Sequence, residues 1–159
     1  MKKLMMTTAV AAMVAFTGAA QAMEKMKIGV MATLEGTYTV LGEDGVRGIK
    51  TALAKFGGKA GGKEIELVIQ STDASPDSAV RAVRKLVEQD GLKVIVGPLS
   101  GSEGIAIRDY AKTKPDVTFI NGSSGAQETT YVNPSENFFR FNSDGAQWSW
   151  GLGKYVHDV

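Results

Sequence analysis

The sequence has no cysteine, one histidine and four prolines in 159 residues. Without cysteine no disulfide can staple the fold, so an apolar core has to hold it. Thiol nucleophiles and thiolate metal ligands are excluded on the same ground. The lone histidine, His157, stands near the C-terminus, and a serine nucleophile elsewhere has no obvious base. No G-x-S-x-G elbow occurs, because Gly97-Pro98-Leu99-Ser100-Gly101 puts its serine one residue late. Neither a G-x-x-x-x-G-K-[ST] loop nor a G-x-G-x-x-G after a strand is present, and ligands at metal-binding spacing are missing. Asp73, Glu103 and Asp109 could in principle be catalytic carboxylates. Asp73 precedes a capping Ser and reads as a turn former, and Glu103 suits the positive end of a helix. The chain therefore reads as a non-enzyme with no catalytic residue, cofactor or metal. Net charge is also small, +1, and offers no basic surface to nucleic acid or an anionic membrane.

What is present begins with a leader. Lys2 and Lys3 precede an uncharged apolar run, Leu4 to Phe16, and Ala20-Gln21-Ala22 is a small-x-small cleavage site. Residues 1–22 read as a secretory signal peptide, which predicts export to the periplasm. Removing it turns the formal charge to −1.

From there the chain alternates strands and helices. Strands are expected at Met26–Ala32, Glu64–Thr72, Val94–Val96, Val117–Ile120 and Phe138–Phe141. Val46, Ile49, Leu53 and Phe56 predict an amphipathic helix over Asp44–Phe56, after a polar loop Thr33–Gly42; Gly61-Gly62 predicts a loose connection. Ser75-Pro76-Asp77 is a strong helix start, and Val80, Val83, Leu86 and Val87 form that helix's apolar stripe. Another helix is expected from Glu103 to about Thr113, and a last one over Ala146–Val156. The pattern predicts an α/β fold: a doubly wound, Rossmann-like parallel sheet with helices on both faces. In such sheets ligands bind at the carboxyl ends of the strands, near the point where strand order reverses. An order 2-1-3-4-5 would set that point between the first and third strands.

The stretch Val94–Gly104 is the one around which this reading turns. A short strand breaks at Gly97-Pro98, and Ser100-Gly101-Ser102 opens a helix. Such a turn caps the helix and also aims free N–H groups outward, a ready seat for a carboxylate. Asn121-Gly122-Ser123-Ser124-Gly125, after the neighbouring strand, is similarly rich in hydroxyls and glycine. Ser100, Ser102, Ser123 and Ser124, with the N–H groups of Gly101 and Gly125, are expected to converge on one surface; the competing reading is that the serines only cap helices. Tyr38, in the first loop, reads equally as a pocket wall or as loop packing.

The segments IGVMATLEGTYTVLGEDGVRGIKTAL, LVIQSTDASPDSAVRAVRKLVEQDGLKVIVGPLSGSEG, FINGSSGAQ and FFRFNSD resemble the first lobe of type I periplasmic substrate-binding proteins of the leucine/isoleucine/valine-binding kind, which serve ABC importers. The resemblance implies two α/β lobes joined by crossing strands and closing on a small ligand. The expected ligand is a branched-chain or other hydrophobic amino acid, or a similar small carboxylate, and the expected partner is an inner-membrane ABC permease. It implies ligand contacts from Ser100, Gly101 and Ser102, from Ser123, Ser124 and Gly125, and from Tyr38 and Leu41. It divides the chain into residues 23–141, the first lobe, and 142–159, a crossover with the first helix of a second lobe that lies beyond this sequence. An exported enzyme or sensor domain on a related sheet is the alternative reading.

Overall fold

A computed structural model describes residues 24–159; the proposed signal peptide lies outside the described residues. Six strands form one sheet: β1 (Lys25–Thr33), β2 (Lys59–Ala60), β3 (Lys63–Thr72), β4 (Val94–Val96), β5 (Thr118–Asn121) and β6 (Phe138–Arg140). Their order is β2-β3-β1-β4-β5-β6. All neighbours are parallel except the β2–β3 hairpin. The five parallel strands therefore run 2-1-3-4-5 in order of appearance, and strand order reverses between β1 and β4.

The two faces are covered unequally. In register, Gly29, Ile95, Phe119 and Phe138 lie on one row across four strands. That row packs against α2 (Pro76–Arg84), which continues as a wider turn over Lys85–Gln89, and against α3 (Gly101–Ala111). Ala79, Val83, Leu86, Ile95, Ile107, Ala111 and Phe119 are fully enclosed there. Burying an aliphatic or aromatic side chain of this size contributes about 1.5–3 kcal/mol, so this face carries the core. The next row, Val30, Val96, Ile120 and Phe139, points the other way, and on that face α1 (Thr39–Lys55) packs along β1.

α1 starts five residues earlier than its apolar spacing suggests, and it shortens the expected Thr33–Gly42 loop. Its first turn is poor in strong helix formers. A close approach fixes it: a Cβ at Gly42 would lie 1.8 Å from the Thr33 carbonyl oxygen, so only glycine lets the helix seat on the end of β1. Tertiary packing outweighs propensity here. Leu41 consequently stands on the helix and not in the loop. Gly61 and Gly62 also differ from expectation. Both have positive φ, and they close the tight β2–β3 hairpin instead of a loose connection. The last expected helix is two pieces, α4 (Gly145–Trp148) and α5 (Leu152–Asp158), parted by Gly151 at φ +85°. No described helix is long and apolar enough to cross a membrane.

Candidate functional site

The expected site lies at the carboxyl ends of β1, β4 and β5. Its first turn is built by a capping box. Ser100 Oγ accepts the Glu103 N–H at 3.2 Å, and Glu103 Oε2 accepts the Ser100 N–H at 2.9 Å. The S-x-x-E spacing of this box is visible in the sequence. Ser100 Oγ also donates to the Ala74 carbonyl at 2.9 Å, so this hydroxyl is committed to the fold. Ala74 holds a positive φ of 70°, an uncommon conformation for a residue with a Cβ. Helix geometry leaves the Gly101 and Ser102 N–H groups without intrahelical partners. Ser102 is exposed, and its hydroxyl has only a contact of 3.2 Å with Ser100 Oγ.

The second turn is organised by Asn121, fully buried at the end of β5. Its Oδ1 accepts the N–H groups of Ser123 (3.0 Å) and Ser124 (2.8 Å), and its Nδ2 donates to the Ser124 carbonyl at 2.8 Å. Ser123 is exposed. Ser124 is not: it is completely buried, and its Oγ has no hydrogen-bond partner. A Cβ at Gly104 would stand 2.1 Å from that oxygen, so the side chain is pressed onto α3. The expectation that four serine hydroxyls face one surface is therefore corrected. Ser124 points into the protein, Ser100 is spent as a cap, and Ser102 and Ser123 remain open.

The backbones of the two turns do meet. A Cβ at Gly101 would lie 3.6 Å from Ala126 Cβ and 3.8 Å from Ala126 N. Beside them, under α1, is a cavity of about 310 Å³ with mostly apolar walls, among them Leu41, Pro98, Leu99 and Ser123. Tyr38 is about half exposed and does not line it.

Sequence reasoning missed the residues that fasten β6 and the segment after it to the second turn. The Phe141 N–H donates to the Asn121 carbonyl at 2.9 Å, and the Gly145 N–H to the Gly125 carbonyl at 2.9 Å. Asn142 Nδ2 donates to the Ser123 carbonyl at 2.9 Å. Arg140 and Asp144 form a buried ion pair of 3.3 Å, and Asp144 caps α4 by accepting the Gln147 N–H at 2.9 Å. That N–H, and then Arg140, hold the Asp144 carboxyl below the usual range. The D-x-x-Q spacing was a legible cap signal; the ion-pair partner was not. No cluster of metal-ligating side chains occurs among the described residues.

A family model described as "Periplasmic binding protein" matches residues 25–159. Leu/Ile/Val-binding protein homolog 3 of Brucella melitensis is 27% identical over 156 residues, which is 97% of this chain and 41% of that protein. An ABC transporter substrate-binding protein from Sphaerobacter thermophilus superposes with a TM-score of 0.75 at 30% identity, over 86% of this chain and 37% of that one. A solute-binding protein of an R. palustris ABC transporter, solved with benzoate, gives a TM-score of 0.78 at 25% identity, over 84% of this chain and 37% of that one. The chain thus spans about 40% or less of the length of these relatives.

Proposed function

Because the chain belongs to the periplasmic binding protein family, we propose that it is the first ligand-binding lobe of an ABC-transporter substrate-binding protein. In this reading residues 1–22 direct export to the periplasm and are removed. Residues 23–141 form the lobe, and 142–159 lead into a second one. The ligand is a small carboxylate, an amino acid with a hydrophobic side chain or an aromatic acid, and the loaded protein delivers it to an inner-membrane permease. The benzoate of the R. palustris relative and the names of the Leu/Ile/Val-binding homologues support that ligand class.

The observation that carries the reading is the meeting of Gly101 and Ala126 at the carboxyl ends of β4 and β5, next to the switch point between β1 and β4. It brings the free N–H groups at the start of α3 beside the Ser123–Gly125 turn. Backbone donors at a helix start favour an anion through both hydrogen bonding and the helix dipole. The binding residues in this reading are the N–H groups of Gly101, Ser102 and Gly125 and the hydroxyls of Ser102 and Ser123. Ser100 and Ser124 shape the two turns from within. Leu41 takes the apolar part of the ligand from the cavity side, and Tyr38 borders the entrance.

The test is calorimetric titration of the full-length chain with L-leucine, L-isoleucine, L-phenylalanine and benzoate. Ser102→Ala should weaken the probe that binds by about ten- to a hundred-fold, since a charge-assisted hydrogen bond contributes about 1.5–3 kcal/mol. Ser100→Ala should instead lower stability by about 1 kcal/mol, as loss of a cap does, and change affinity far less. Equal affinities for parent and Ser102→Ala would remove the hydroxyl from the site, and no binding of any probe would count against the ligand class.

A further inference from the structure

Trp148 lies on the glycine end of the second turn. A Cβ at Gly125 would stand 2.5 Å from Trp148 Cη2, 2.8 Å from Cζ3 and 3.1 Å from Cζ2. The six-membered edge of the indole therefore rests directly on the Gly125 backbone. That turn runs on into Ala126, which borders Gly101 at the start of α3. Indole, glycine turn and helix N-terminus form one continuous row.

The backbone that carries the ring is tied to the second turn. The Trp148 N–H donates to the Asp144 carbonyl at 3.0 Å, and the Gly145 N–H to the Gly125 carbonyl at 2.9 Å. Asp144 is itself fixed by its cap contacts with Gln147 and by Arg140. Yet the side chain remains 59% exposed. Phe56, Phe141 and Trp150 are more exposed still; what sets Trp148 apart is that its open ring sits on the Gly125 turn. A large apolar surface on an anchored backbone, with only two side-chain torsions to order, supplies contact area at little entropic cost.

We infer that Trp148 is a ligand-contacting residue: its open indole surface packs against the flat or aliphatic part of a carboxylate held by the two turns, and position 125 is glycine because it seats that ring. This inference rests on the reading of the turns as the ligand site. The turns recognise the charged end, which every small carboxylate shares. The indole recognises what differs between them, and it disfavours a polar substituent that would lose water against it.

The experiment uses the full-length chain with the same four probes, in wild type and in Trp148→Ala, Trp148→Phe, Trp150→Phe and Gly125→Ala. Trp148→Ala is expected to weaken the bound probe tenfold or more, and Trp148→Phe to keep affinity within about threefold. Gly125→Ala, which displaces the ring, is expected to weaken it as Trp148→Ala does. A ligand-induced change in tryptophan emission should persist in Trp150→Phe and vanish in Trp148→Phe. If the wild type binds a probe while Trp148→Ala binds it equally and the emission change survives in Trp148→Phe, Trp148 is only a cover for the turn. That result overturns the inference and leaves the site reading intact. If the wild type binds none of the probes, the site reading fails and this inference falls with it.

Discussion

Asp73 stands at the carboxyl end of β3, where the hydroxyls of Ser75 and Ser78 and the Ser75 N–H, 2.9 Å from Oδ1, hold its carboxyl at about 2. An unfolded aspartate titrates near 3.9. Its folded value is depressed, so the stabilisation is fully present above about pH 4 and is lost as pH falls through about 2. In urea titrations across pH, the stability gap between wild type and Asp73→Asn should be constant above pH 5 and should close between pH 4 and 2. A gap that stays constant down to pH 2 would mean that the charge contributes nothing to folding. Asp73 as a turn former was legible, because an acid two residues before a capping Ser has few other uses. The fates of the serines were not. Ser100 carries an S-x-x-E capping signal that Ser102 lacks, but its bond to Ala74 and the inward turn of Ser124 against Gly104 depend on other parts of the chain.

At the scale of elements, spacing of apolar residues and helix caps carried most of the information. β4 falls at Val94–Val96 as its short apolar run requires, and Ser75 caps α2 by accepting the Ser78 N–H at 3.3 Å. The start of α1 and the β2–β3 hairpin were not legible, since both depend on glycines whose role is set by a distant carbonyl or by backbone handedness. The joint between the second turn and α4 is of the same kind, and it concentrates on one side chain. Asp144 is buried, pairs with Arg140 and caps α4. Asp144→Ala leaves the Arg140 guanidinium buried without its partner, which costs about 3–5 kcal/mol. Asp144→Asn keeps a capping oxygen and should lose less. Chemical denaturation of the three proteins measures both differences. Equal stability of wild type and Asp144→Ala would show that the joint is held by backbone hydrogen bonds alone.

Across the whole molecule, the two faces of the sheet set different terms for stability. The α2–α3 face is sealed by buried residues, whereas on the other face, among the described elements, α1 packs along β1. α1 gives that face little: Val46, Ile49 and Leu53 are half-buried, and Phe56 is exposed. Phe139, on the row of Val30, Val96 and Ile120, is 48% exposed, and Phe141 just beyond it is 76% exposed. Trp150, Leu152, Tyr155 and Val156 add further open apolar surface on and before α5. Contiguous apolar surface on this scale drives association, and a half-covered parallel sheet offers it a flat seat. Residues 24–159 produced by themselves should therefore form concentration-dependent oligomers, read by sedimentation velocity over about 1–100 µM. Phe139→Ser should shift that equilibrium toward monomer, because the substitution removes an apolar contact without touching the sealed core. The small formal charge of residues 24–159, −1, gives little repulsion against association. A single monomeric boundary at every concentration, in both proteins, would mean that α1 and the open row of the sheet are adequately solvated as they stand.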